Sequence, residues 1–399
     1  MTPPRRDYTA PMKPLLSLLG RGLSGVLGPG MRPQAARNCR CRCGQPVFFQ
    51  NSVCLACGSE LGFDPEALTL RWRAPGPQPG IWHAADDVGE AGPPLQRCAN
   101  FGPAGCNWLL PPEEAPAHDG LCRACRLNHT IPDLDEDDNA MLWGRVERAK
   151  RRLVSQLLAL GLPVRSKVSE DPEQGVMFDF LPGATGATPV VTGHAGGLIT
   201  LDIGEADDAT RERLRSALRE PYRTLLGHLR HEIGHYYWDR LVAGSGWLQP
   251  FRARFGDERQ DYAAALKRHY RSGPADDWPQ RYVSAYASAH PWEDWAETWA
   301  NYLHMVDTLD TALSFGLEGG DVEVQIEPYG ADALDAPGDP GAPRFLGLVN
   351  AWLQITALMN ELARSMGQPD LCPLVLSHHA VAKLHFVHRV VSASAAQPR

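Results

Sequence analysis

Leu225-Leu226-Gly227-His228-Leu229-Arg230-His231-Glu232-Ile233-Gly234-His235-Tyr236-Tyr237-Trp238-Asp239-Arg240-Leu241 is the stretch from which the rest of the chain is best read. Pro221 ahead of it can open a helix at its first position, and Gly244 behind it can close one. Leu225, Leu226, Leu229, Ile233, Tyr236 and Leu241 give that helix an apolar side. Residues four apart share a helix face, so the imidazoles of His231 and His235 can reach one metal ion. Glu232 then stands beside the metal as a general base for its water. Gly234 costs a helix interior about 1 kcal/mol relative to Ala, which points to close packing of another element or of the metal against that position.

A catalytic zinc takes three protein ligands and keeps a fourth position for water. Six residues after His235 the metzincin spacing would require His or Asp. The residue there is Leu241, which excludes that pattern, and Asp239 is placed to support rather than to ligate. The better source lies downstream in Pro291-Trp292-Glu293-Asp294-Trp295-Ala296-Glu297-Thr298-Trp299. Pro291 can open a second helix, on which Glu293 and Glu297 lie on one face about 6 Å apart along the axis. Trp292, Trp295 and Trp299 form an adjoining apolar stripe. One carboxylate can ligate while the other orients a ligating histidine through its free ring nitrogen. His290 reads as a cap-region surface histidine, and His194, His228, His304, His378 and His379 as surface histidines.

Nine of the ten cysteines fall between Cys39 and Cys125, and only Cys372 lies elsewhere. Close pairing in a chain without an evident export signal favours metal over disulfides. Cys41, Cys43, Cys54 and Cys57 form one set. Gly44 and Gly58 follow its two pairs and allow the tight turn that zinc knuckles use. The first pair is CxC rather than CxxC, so Cys39 is a substitute ligand to consider. Cys98, Cys106, Cys122 and Cys125 form a second set. Four thiolates close a tetrahedral site, which suits structure rather than catalysis.

The chain has 399 residues, with 43% apolar and 22% charged, and carries a net charge of −8. That composition excludes collagen-like, coiled-coil and wholly disordered classes. No stretch is apolar enough to span a membrane. The negative total argues against a general polyanion binder. Residues 1–37 read as a disordered basic tail: up to residue 42 there are eight basic residues against the single acid Asp7. Residues 38–130 read as a ribbon region with two four-cysteine sites, and 135–391 as a second domain. There, helices over Asn139–Leu160 and Phe345–Ser365 flank strands near Val176–Phe180 and Leu198–Ile203, with a long loop or flap over Gly316–Pro343. The alternating strand ahead of the histidine helix fits an edge strand that pairs with an extended peptide, and fits plain core equally.

An HExxH pair followed by ExxxE resembles the gluzincin metallopeptidases, and Glu293-Asp294-Trp295-Ala296-Glu297 is distantly similar to the corresponding segment of anthrax lethal factor-type peptidases. That resemblance implies Glu293 as the third zinc ligand, Glu297 as its supporting acid, and Tyr286, seven residues before Glu293, as a transition-state tyrosine. CGQPVFF at Cys43–Phe49, CRLNHTIPDL at Cys125–Leu134, EPYRTLLGHLRHEIGHYYWDRLV at Glu220–Val242 and SAYASAHPWEDWAETWANYLH at Ser284–His304 resemble a bacterial family of zinc metallopeptidases with an N-terminal zinc ribbon. The likeness runs over roughly residues 40–390. The expected fold is α+β: a mainly helical, zincin-like domain behind a small double zinc-ribbon region. The expected cofactors are one catalytic and two structural zinc ions. The expected partner is a peptide or protein substrate in the cytoplasm, with the ribbons open to protein or nucleic acid and no membrane contact. The competing reading is a non-catalytic zinc-ribbon adaptor, against which the retained Glu232 argues.

Overall fold

Short apolar runs between cysteine pairs make the N-terminal part of the chain a set of hairpins. The computed structural model describes residues 37–396 except 76, 77, 79, 86–90, 137, 184–189, 191, 219–223 and 373–375. The basic tail, apart from Arg37, and the expected helix opener Pro221 therefore lie outside the described residues. Strands β1 (Cys39–Arg40) and β2 (Pro46–Val47) form a two-stranded antiparallel ribbon. Strands β3 (Leu61–Asp64), β4 (Thr69–Pro75), β5 (Ile81–Ala85), β6 (Ala91–Arg97) and β7 (Leu109–Leu110) follow as a five-stranded antiparallel meander. Phe49, Phe63 and Trp108 fill the space beneath it, with ring centroids 4.8 Å and 4.7 Å apart along the chain of contacts.

The second sheet is mixed. Strands β8 (Asn128–Thr130), β9 (Met177–Leu181), β10 (Gly193–Ala195) and β11 (Leu198–Asp202) lie in the order β10-β11-β9-β8. The period-two alternation of half-buried strands is evident: Phe178 and Phe180 on β9, and Ile199 and Leu201 on β11, point inward. Of the two places open to the strand ahead of the histidine helix, sheet edge and core, it takes the interior one. β11 pairs in parallel with β9 on one side and antiparallel with β10 on the other. Gly196 and Gly197, both at positive φ, make the turn that folds β10 over and gives it the edge instead.

The helices are α1 (Phe101–Ala104), α2 (Asn139–Ala159), α3 (Asp208–Leu218), α4 (Leu225–Leu241), α5 (Leu248–Phe255), α6 (Tyr262–Ser272), α7 (Trp278–Arg281), α8 (Pro291–Ser314), α9 (Ala342–Ser365) and α10 (His378–Ala395). Thr224 caps α4, its hydroxyl accepting from the Gly227 amide at 2.9 Å. α4 lies between α2 and α8, and α9 and α10 cover the far side of α8. The long loop before α9 is tied down by Tyr329, whose amide donates to Asn350 at 2.8 Å and whose hydroxyl donates to the Leu376 carbonyl.

Two buried ionic clusters hold these helices in place. Asp307 of α8 accepts from Arg37 at 2.9 Å, Arg152 of α2 at 2.9 Å and Arg230 of α4 at 2.8 Å. Burial opposes its charge, but the three guanidinium groups keep its carboxyl below the usual range. Asp294 of α8 accepts from Lys383 of α10 at 2.6 Å. No helix among the described residues is long and apolar enough to cross a membrane.

Candidate metal centre

Helices α4 and α8 cross where α4 has no side chain. A Cβ on Gly234 would lie 3.2 Å from the Ala296 Cα and 3.2 Å from the Trp299 side chain. The Trp295 indole donates to the Gly234 carbonyl at 2.9 Å, fastening the two helices at that level. Pro291 occupies the first turn of α8. His290 caps it, Nδ1 accepting from the Trp292 amide at 3.1 Å. His290 is thus a cap residue as expected but is buried, because its Nε2 also reaches the Gln260 carbonyl at 3.1 Å.

This crossing brings His231, His235 and Glu293 together, all three buried. His231 Nε2 lies 3.2 Å from His235 Nε2 and 3.0 Å from Glu293 Oε2, which is 3.6 Å from His235 Nε2. Donors held about 2.0–2.1 Å from a tetrahedral zinc stand about 3.3 Å apart, so the spacing fits. The tautomer fits as well. His231 Nδ1 lies 2.7 Å from Glu297 Oε1, a contact that favours the proton on Nδ1 and, with a metal bound, leaves Nε2 to ligate. Two histidine ring nitrogens and a carboxylate oxygen face one another in a buried space, an arrangement that a cation stabilises. Burial disfavours a charged His231, yet the Glu293 and Glu297 carboxylates beside it pull its pKa well above the ordinary value, a measure of how strongly they attract positive charge.

Glu297 accepts a second bond, from Ser284 at 2.6 Å. Glu232 is buried, and burial opposes its charge, but the hydrogen bond from His228 and the nearby histidines hold its carboxyl below the usual range. Tyr286 begins a turn whose ring lies 6.0 Å from that of His231. Burial and then the Glu293 charge push its phenol up, so it remains a donor at neutral pH. Trp292 packs over His235, the ring centroids 3.9 Å apart.

Several residues at the site were not singled out from sequence. His228 is no surface histidine: Nε2 lies 3.2 Å from Glu232 Oε1 and Nδ1 lies 2.8 Å from Glu205 Oε2, whose Oε1 accepts from Thr192 at 2.9 Å. Its position four residues before Glu232 was the available signal. His304 is likewise inside, against Arg230. His194 on β10 lies beside His235 and Trp292, and burial lowers its pKa to about 4. His378 and His379 are exposed, as expected. Tyr262, 31 residues from Glu293, donates to its Oε1 at 2.6 Å, and nothing in the sequence marks that pairing.

The cysteines form two clusters, Cys41, Cys43, Cys54, Cys57 and Cys98, Cys106, Cys122, Cys125. Sulfur separations are 3.5 Å for Cys41–Cys57, 3.8 Å for Cys43–Cys54, and 3.7 Å for both Cys106–Cys122 and Cys106–Cys125. Four sulfurs about 2.3 Å from a tetrahedral zinc stand about 3.7 Å apart, whereas a disulfide would bring them to about 2 Å. Gly44 and Gly58 take positive φ just after Cys43 and Cys57. Cys39 lies outside the first cluster, its sulfur 3.8 Å from the Thr69 hydroxyl.

Residues 139–390 match the family described as "Putative zinc-binding metallo-peptidase", and residues 38–136 match a zinc-ribbon domain. Uncharacterised proteins of Mycobacterium bovis and of two Mycobacterium tuberculosis strains are 43% identical to the chain over 350 residues, which is 88% of this chain and 93% of each relative. No solved structure matches it significantly.

Proposed function

The chain belongs to this family of zinc-binding metallo-peptidases with an N-terminal zinc-ribbon domain, and from that premise we propose that it hydrolyses peptide bonds at the centre formed by His231, His235 and Glu293. The observation that carries the reading is the convergence of two histidine ring nitrogens and a buried carboxylate oxygen to within 3.6 Å of one another, with the carboxylate of Glu232 on the residue after His231 on the same helix. Bound there, zinc would supply a Lewis acid and lower the pKa of its water toward neutrality.

The chain's own groups do the rest. Glu232 accepts the proton of the attacking water and hands it to the leaving amine. His228, held by Glu205, fixes the orientation of that carboxylate. Glu297 keeps the His231 proton on Nδ1. Tyr286 donates to the oxygen of the tetrahedral intermediate. β10, the edge strand of its sheet among the described residues, offers main-chain groups to an extended substrate. In this reading the fold is gluzincin-like, the zinc count is three, the domains are 38–130 and 135–391, and the compartment is the cytoplasm, where unpaired cysteines persist. The ribbons serve protein contact: Leu55 and Phe48 stand exposed beside the first cysteine cluster.

Cleavage of a peptide library by zinc-loaded protein tests this. A chelator should stop it. Glu232→Gln should keep its zinc and lose activity by about 10²–10⁴-fold, the usual contribution of a positioned acid–base group. Wild-type turnover in that variant, or undiminished cleavage after the centre is emptied, would refute the assignment.

A further inference from the structure

Helix α6 lies along the site and buries little of its own surface. Asp261 caps it, its carboxylate accepting from the Ala264 amide at 2.9 Å. Ala265 is the one buried side chain on it. Gly256 and Gly273, both at positive φ, bracket the segment. Its inward face carries Tyr262, Ala265 and His269, spaced three and four residues apart. At one end the Tyr262 ring packs edge-on to Trp292 and His290, with centroids 5.9 Å and 5.2 Å away. Two turns on, the His269 ring packs edge-on to Tyr286 at 5.7 Å. The helix therefore spans from a proposed zinc ligand to the proposed oxyanion donor.

The polar contact is specific. The Tyr262 hydroxyl donates to Glu293 Oε1 at 2.6 Å, while the buried Oε2 faces the histidine pair. A hydrogen bond to an ionised carboxylate is among the stronger kinds, and engaging one oxygen fixes the direction of the other. We propose that Tyr262 is a positioning residue for Glu293 and that it couples metal binding to docking of α6 across the site. The proposal rests on the metal centre described above. Coupling of this sort is reciprocal: if the docked helix favours the metal, the metal favours the docked helix by the same factor.

Two measurements test it without any substrate. Zinc affinity of the third site is measured by competition with a chromogenic chelator, in the wild-type chain and in Tyr262→Phe, which keeps the ring contacts and removes only the hydroxyl. Loss of a group that orients a ligand costs about 10–100-fold in affinity, and a loss of that size is expected, with the cysteine-bound zinc retained. Amide hydrogen exchange over residues 262–272 is followed in the wild-type chain with and without the third zinc, and exchange should slow when it is bound. Equal affinity in the two chains, or exchange unmoved by zinc, would overturn the role given to Tyr262. Absence of a third zinc from the wild-type chain would overturn the metal centre itself and the proposal with it.

Discussion

Two glutamates one helical turn apart are given different work by what lies against them. Glu293 sends a buried oxygen toward both histidines, whereas both oxygens of Glu297 are engaged, by His231 and Ser284. Removing a direct ligand leaves two protein donors, and Glu293→Ala should lose the third zinc on dialysis. Removing the group that orients His231 leaves all three donors present, so Glu297→Ala should bind zinc about 10–100-fold more weakly and refill under excess metal. Elemental analysis of both dialysed variants reads this directly, and the reverse order of loss would exchange the two roles. At this scale sequence reading reaches residues tied together by helical spacing: His231 with His235, Glu293 with Glu297. It does not reach pairs assembled from distant segments. Tyr262 meets Glu293, and Glu205 meets His228, only because the chain returns to the site. His228 shares a face with Glu232, yet its polarity gives no sign that the face is buried.

Buried charge decides how firmly the helix that carries Glu293 is seated. α8 is hydrophobic over much of its circumference, but the Asp294 carboxylate on its first turn is fully enclosed and answered by Lys383 from α10. Burial raises the Asp294 pKa to about 7 even with Lys383 drawing it down, so the pair stands on the balance between desolvation and attraction. Breaking such a pair by removing one partner costs about 3–5 kcal/mol, because the other charge is left stranded. Lys383→Met should therefore lower the unfolding free energy by about that amount in a denaturant titration. Adding Asp294→Asn should restore much of it; a double variant as unstable as the single would show that packing, not charge, holds α10 there. The sequence gives no clear outline of α10. Ala380 through His388 are all buried, so the helix shows no polar face against which a 3.6-residue period could be seen. For α2 the signals agree: Asp138 sits at the N-cap position and Gly161, at positive φ, follows its end. β11 was recognised as an alternating strand, but alternation reveals which face is buried and not which neighbours pair with it. Its interior place depends on the Gly196-Gly197 turn.

Across the whole molecule the two cysteine clusters differ in what surrounds them, although from sequence both read as closed four-cysteine sites. Cys43 and Cys57 of the first are exposed. In the second, Cys98, Cys106, Cys122 and Cys125 are no more than 2% exposed. That second cluster is also bound into the neighbouring domain: the Cys125 sulfur lies 3.7 Å from Glu147 of α2, and Arg151 of α2 donates to the Ala104 carbonyl at 3.3 Å. α2 packs in turn on α4, which carries His231 and His235. A small cysteine-rich module draws much of its folding free energy from its metal, so the second zinc should stabilise the peptidase domain and the first should not. Access sets the rate at which a thiol reagent attacks a thiolate. Titration of the Glu293→Ala chain with an organomercurial, with released zinc followed by a metallochromic dye, should thus give two phases. The fast phase should release one zinc per chain and leave the near-ultraviolet circular dichroism of the buried tryptophans intact, Trp143 of α2 among them. The slow phase should release the second zinc together with that signal, because attack on enclosed sulfurs must wait for α2 to move away. Release of both ions in one phase, or loss of tertiary signal with the first, would mean that the two sites share one structural fate and that burial against α2 does not separate them.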